Sequence, residues 1–164
     1  MSNFNILSEI MCSACNLAVQ SVNTGTGPFG CVITDSSYNI IAAEHNHVTE
    51  WNDPTAHAEI VCIRKACSNL NTFDLNGLLL FTSCEPCPMC LSAIYWAKIT
   101  NIFYCNTRED AKNVGFDDEF IYDEIKRDIN ERKVKMTRII PHGITDEGME
   151  GFHIWQQLQN KNLY

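Results

Sequence analysis

The stretch TSCEPCPMC, Thr82 to Cys90, sets Cys84, Cys87 and Cys90 on a strict three-residue step. Thiols at that spacing can hold a metal, carry a redox disulfide or form part of an iron–sulfur cluster. A cluster needs further cysteines at matching spacing, and the Cys12-x-x-Cys15 pair stands far upstream. Those two are expected to face a helix–sheet contact. A second stretch, NDPTAHAEIVCIRKA, places His57 and Glu59 at the start of a helix, just after a proline-containing turn. The cysteine stretch also opens a helix, with Pro86 expected near its first turn, where a missing N–H does no harm. Cys87 and Cys90 then share a helix face, and in a first turn the helix dipole favours thiolate over thiol.

Two thiolates and the His57 imidazole make three ligands for tetrahedral zinc and leave the fourth position for water. That is the catalytic pattern, since a structural site is closed. Cys84 as a fourth ligand would close it. It precedes the helix, however, and is expected to end a buried strand as a packed, non-ligating thiol. His57 alone would read as a polar residue at a helix cap; Glu59 and the downstream Pro-Cys-x-x-Cys turn the reading toward a metal. One geometric condition follows. Positions two apart on an ideal helix differ by roughly 200°, so His57 and Glu59 can address one metal only if it lies off the helix end.

The elements that must position these groups follow from hydrophobic pattern. Ile6 to Val22 is apolar at helical spacing and predicts an opening helix. GTGPFG turns the chain into the strand CVITD, and SSYN turns it again into IIAAEHN, a hairpin. His57 to Asn69 predicts a helix, GLLLFTS a fully buried strand, Pro86 to Ala97 a second helix, and NIFYC a short strand. Strands alternating with helices after a hairpin predict an α/β fold, a mixed sheet with helices on both faces. Further on, a loop to Asp118, a charged helix near Phe120 to Ile129, a strand near Lys135 to Ile140 and a tail helix from Met149 are expected.

Bulk properties narrow the partners. The 164 residues suit one domain, and 12 Lys and Arg against 20 Asp and Glu give a net charge of −8. Nucleic acid is disfavoured because no basic footprint is present to displace phosphate counterions. No run approaches a membrane span. The nine cysteines are an odd number, and no secretory leader pattern opens the sequence, so a reducing, cytoplasmic location is expected.

The combination H-x-E with P-C-x-x-C is the zinc deaminase signature, present here as His57-Ala58-Glu59 and Pro86-Cys87-Pro88-Met89-Cys90. Its chemistry uses each part. Zinc brings water to hydroxide near neutral pH, the hydroxide attacks an amino-bearing ring carbon, and Glu59, not a ligand, shuttles the protons. The chain resembles the cytidine-deaminase superfamily and, within it, the short bacterial guanine deaminases. The likeness rests on NDPTAHAE, TSCEPCPMC, AIYWA, GFDDEFIY, and a tail with Phe152, Trp155 and Tyr164. It implies a cytidine-deaminase-like three-layer α/β/α fold with a five-stranded mixed sheet, in one domain spanning 1–164.

The resemblance also implies roles. His57, Cys87 and Cys90 match the ligands of one Zn2+ per subunit, and Glu59 the proton shuttle. Asn46 matches an amide that grips the purine edge, and Phe29 an aromatic beside the base. Asp118 matches a substrate-contacting carboxylate that assists proton transfer, with Asp117 adjacent. Trp96 is expected in the pocket wall. Tyr164 matches a terminal residue that closes the site, on a segment 148–164 exchanged between the subunits of a homodimer. Judged singly, Asn46 is a turn former, Phe29 and Trp96 are core residues, and Asp117-Asp118 is a solvated pair or a helix cap. His47 departs from the smaller polar residue expected beside Asn46. The activity implied is hydrolysis of guanine at C2 to xanthine and ammonia. The alternatives are a guanosine deaminase, a tRNA adenosine deaminase, and a non-catalytic zinc-binding module in which Glu59 is incidental.

Overall fold

The strand β1, Gly30–Thr34, is fully buried and alternates between two cores. Cys31 and Ile33 face one cluster, Val32 the other, which is the period of two that a strand covered on both faces requires. The computed structural model describes residues 3–140 and 147–163. β1 pairs antiparallel with β2, Ile40–His45, and with β3, Leu79–Cys84, and β3 pairs parallel with β4, Asn101–Asn106. The sheet order is β2-β1-β3-β4. The hairpin and the mixed sheet expected from the sequence are both present.

Helix α1, Asn3–Asn23, covers one face, with Ile10 and Ala14 packed on Val32 and Phe81. Gly30 permits this approach. A Cβ there would lie 2.3 Å from the Ala14 carbonyl oxygen and 2.7 Å from the Ala18 nitrogen. The short helix α2, Val48–Trp51, follows the hairpin. On the other face lie α3, Ala58–Leu70, and α4, Pro88–Trp96, whose Ala58, Cys62, Ala66 and Ile94 join Cys31, Ile33 and Leu80 in the larger core. Small residues on α3 let it sit close to the strands.

Three expectations need correction. Both site helices start later than the pattern suggested. His57 and Cys87 are N-caps with extended backbones, and Pro88 rather than Pro86 takes the first helical position. A residue before proline is driven out of the helical region, which fixes Cys87 as the cap. Second, the loop expected up to Asp118 contains a helix, α5, Arg108–Asn113, held by a capping box between Thr107 and Asp110. Third, the sheet has four strands among the described residues, not five. Lys135 to Ile140 forms no strand. Met136, Ile139 and Ile140 give the segment apolar residues of the kind strands use, but a strand also needs an edge to pair with.

The chain divides into two units, Met1–Phe120 and Ile121–Tyr164. The second unit holds the rest of α6, Glu119–Lys126, a 3-10 turn at Ile129–Glu131, and α7, Glu147–Gln157. Its large apolar side chains, among them Ile139 (82% exposed), Phe152, Ile154 and Leu158, are exposed. No helix among the described residues is long and apolar enough to cross a membrane.

Candidate active site

The N-termini of α3 and α4 converge beside the end of β3. His57 caps α3 with φ −66° and ψ 153°, and Cys87 caps α4 with φ −65° and ψ 168°. The extended cap resolves the directional problem, because His57 stands off the helix end while Glu59 sits inside its first turn. His57 Nδ1 lies 3.6 Å from Cys87 Sγ and 3.5 Å from Cys90 Sγ. Among the described residues these three form the one His, Cys and carboxylate group with ligand atoms close enough for a shared ion. The spacing fits zinc. Tetrahedral bonds to nitrogen and sulfur at zinc lengths separate the two donors by about 3.6 Å.

Charge at the site is arranged for a cation. The Cys90 thiol and then the His57 ring stabilise the Cys87 thiolate, bringing its pKa down to about 4, while the bond to Cys87 and burial push Cys90 up. Two thiols this close share a proton that a bound metal displaces. Cys84, the last residue of β3, is buried, donates to the Thr107 carbonyl at 3.5 Å, and has its pKa raised to about 11 chiefly by burial. It is not in the ligand group.

Glu59 is 6% exposed. Its Oε2 accepts from Cys90 Sγ at 3.5 Å and its Oε1 from Thr82 Oγ1 at 3.4 Å. Burial raises its pKa. A carboxyl so placed beside a thiol cluster can hold or release a proton nearer neutrality. Glu59, His57, Cys84 and Cys87 open on a cavity of about 590 Å³.

Three other residues singled out in the sequence line that cavity. Phe29, Asn46 and Asp118 come from the turn before β1, the end of the hairpin, and the turn after α5. The Asn46 Oδ1 accepts from the Val48 N–H at 3.1 Å, which orients the amide, and its own N–H donates to the Phe29 carbonyl at 3.0 Å. Burial and then the Cys87 thiolate raise the Asp118 pKa. Asp117 also lines the cavity, but its carboxylate accepts from the Glu119 N–H at 3.0 Å and faces Lys112. Trp96 ends α4, is 64% exposed, and is not among the lining residues. Tyr164 lies outside the described residues.

Sequence reasoning missed Phe116, whose ring meets Phe29 edge-on at 5.0 Å and 85° in the cavity wall. Gly115, with φ of +96° after α5, makes the turn that aims it, and that glycine was the available signal. Arg108 was missed too; it lines the cavity, and its N–H donates to Glu85 Oε2 at 3.2 Å.

Comparison with known proteins agrees with this geometry. Residues 5–106 match the profile of the cytidine and deoxycytidylate deaminase zinc-binding region. The chain is 46% identical over 152 residues to the guanine deaminase of Bacillus subtilis, covering 92% of this chain and 94% of that one. The crystal structure of that enzyme superposes with a TM-score of 0.88, covering 100% of this chain and 99% of that one at 43% identity. A guanine deaminase from Nitrosomonas europaea aligns with a TM-score of 0.64 at 30% identity, over 66% of this chain and 63% of that one. A tRNA-specific adenosine deaminase from Aquifex aeolicus is 39% identical over 87 residues, 53% of this chain and 57% of its own length. The chain is thus a zinc-dependent deaminase of the cytidine and deoxycytidylate deaminase family, on the branch of the bacterial guanine deaminases.

Proposed function

We propose that this chain hydrolyses guanine at C2, yielding xanthine and ammonia. The observation that carries the reading is the Glu59 carboxyl, buried against Cys90 Sγ and Thr82 Oγ1 and open to a cavity with Asn46 in its wall. Zinc held by His57, Cys87 and Cys90 would supply Lewis-acid activation of water at neutral pH.

The chain's own groups carry the rest. Glu59 accepts the proton of the incoming water, passes it to a ring nitrogen, and assists protonation of the departing amino group. Its burial-raised pKa suits a group that must both take and give a proton. Asp118, also raised, is the second carboxyl within the cavity and contacts the substrate beside the leaving amine. The Asn46 amide, its oxygen committed to Val48, presents Nδ2 as a donor to the acceptor edge of the purine. Phe29, braced by Phe116, packs against the ring.

We also infer that segment 148–164 caps the site of a second subunit in a homodimer, with Tyr164 closing over the base. The exposed Phe152, Ile154, Trp155 and Leu158 support this, since apolar surface of that kind is covered in a working assembly. Uncapped, about 590 Å³ leaves space beyond a purine base, and this favours guanosine as the second reading. Ammonia release from guanine, guanosine, adenine and cytidine by the zinc-loaded protein tests the assignment. Guanine should turn over far faster than guanosine; comparable rates would transfer the assignment to the nucleoside.

A further inference from the structure

Asn46, Val48 and Thr49 line the cavity, but His47 between them does not. Its side chain is buried behind the wall in a stack of three rings. The His45 ring lies 4.1 Å away at 25° and the Trp51 ring 4.1 Å away at 11°. His47 Nδ1 is 2.6 Å from Glu50 Oε2, so that nitrogen donates. The other nitrogen, Nε2, is buried with no hydrogen-bond partner and stands 3.7 Å from Glu44 Oε2. The short Nδ1 bond to Glu50 therefore fixes the plane of the ring. The titratable groups facing the ring are Glu44 and His45 from β2 and Glu50 from α2. His45 Nδ1 is engaged, donating to the Asn46 carbonyl at 2.8 Å.

The backbone of His47 ties the same elements together. Its N–H donates to the carbonyl of Ala56, the residue before His57, at 2.9 Å, and its carbonyl accepts from the Trp51 N–H at 2.9 Å. This residue therefore fixes the segment that carries Asn46 and links it to the segment that carries His57.

We propose that His47, hydrogen-bonded to the Glu50 carboxylate and stacked between His45 and Trp51, is a positioning residue that sets the Asn46 amide for purine binding. This rests on the reading of Asn46 as the purine-gripping amide. His47 touches no substrate and acts through its neighbour. Loss of the clamp should weaken binding in the ground and transition states alike, raising KM while kcat changes little. One misdirected hydrogen bond in a dry wall is worth about a tenfold change in KM.

The test uses the zinc-loaded full chain with two variants. His47→Phe keeps a ring in the stack but no donor to Glu50, and His47→Gln keeps a donor but no ring. Both should bind zinc as the wild type does and raise KM about tenfold while kcat changes little. Asn46→Ala should also raise KM, and adding His47→Phe to it should raise KM no further, because residues acting as a unit are non-additive. Nitrogen-15 NMR of the folded wild type should show His47 Nδ1 protonated and hydrogen-bonded. A His47 ring with no proton on Nδ1, or independent KM effects of the Asn46 and His47 substitutions, would overturn the proposal, including where a variant fails to fold and only the NMR arm remains. If the wild type does not deaminate guanine, the function reading fails instead, and KM is measured on the purine it does deaminate.

Discussion

Replacing Glu59 with Gln separates chemistry from architecture at this site. The amide is nearly isosteric with the carboxyl. Its oxygen can still accept from Thr82 Oγ1, now at 3.4 Å, and its NH₂ can donate toward Cys90 Sγ, now at 3.5 Å. The side chain is buried, and burial disfavours its charge. The variant should therefore be no less stable than wild type, with zinc retained, since His57, Cys87 and Cys90 are untouched. What goes is the group that moves protons. Positioned acid–base groups contribute about 10²- to 10⁴-fold. Asp118 shares the cavity but belongs to the turn after α5, so we expect a loss near 10³-fold, about 4 kcal/mol of barrier. The assay is ammonia release at saturating guanine, with zinc content and thermal unfolding measured on the same preparations. Turnover near wild type would remove Glu59 from the proton path. Loss of zinc or of fold would make it a structural group instead.

Cys87→Ser and Cys90→Ser should each lose zinc, whereas Cys84→Ser should keep it, because Cys84 donates to the Thr107 carbonyl and lies outside the ligand group; equal losses on metal analysis would mean a closed site. Deleting residues 160–164 should lower guanine turnover on the order of 10²-fold without removing zinc, as expected when a lid that orients substrate is lost; unchanged turnover would show that the tail does not close the site. Gly30→Ala should lower stability by about 1–3 kcal/mol, read as a lower urea midpoint, because the added Cβ would sit 2.3 Å from a backbone oxygen of α1. A midpoint equal to wild type would show that α1 can move off the sheet.

What the sequence made legible is what short-range chemistry dictates. His57, Glu59, Cys87 and Cys90 could be paired on paper because prolines and helix starts constrain where their side chains go, and the structure brings them together. The run Leu78 to Phe81 that leads into β3 and Cys31 to Ile33 of β1 were equally plain, since continuous apolar runs predict strands covered on both faces. The failures share a cause. Lys135 to Ile140 carries β-branched and apolar residues as a strand does, but pairing is a property of two edges and not of one segment. Helix α5 is too short for periodicity; only the Thr107 to Asp110 spacing could have revealed it, through the reciprocal cap. Phe116 and Arg108 reach the cavity from the α5 segment, and the fold that carries them there is non-local. Trp96 shows the converse. Its position in a family motif suggested the pocket, but the last turn of α4 sets it on the exposed side of this chain. His47 was conspicuous as the wrong residue for its place, and only the structure supplies the reason. An imidazole there has two carboxylates and two rings to meet, which a small polar side chain could not engage.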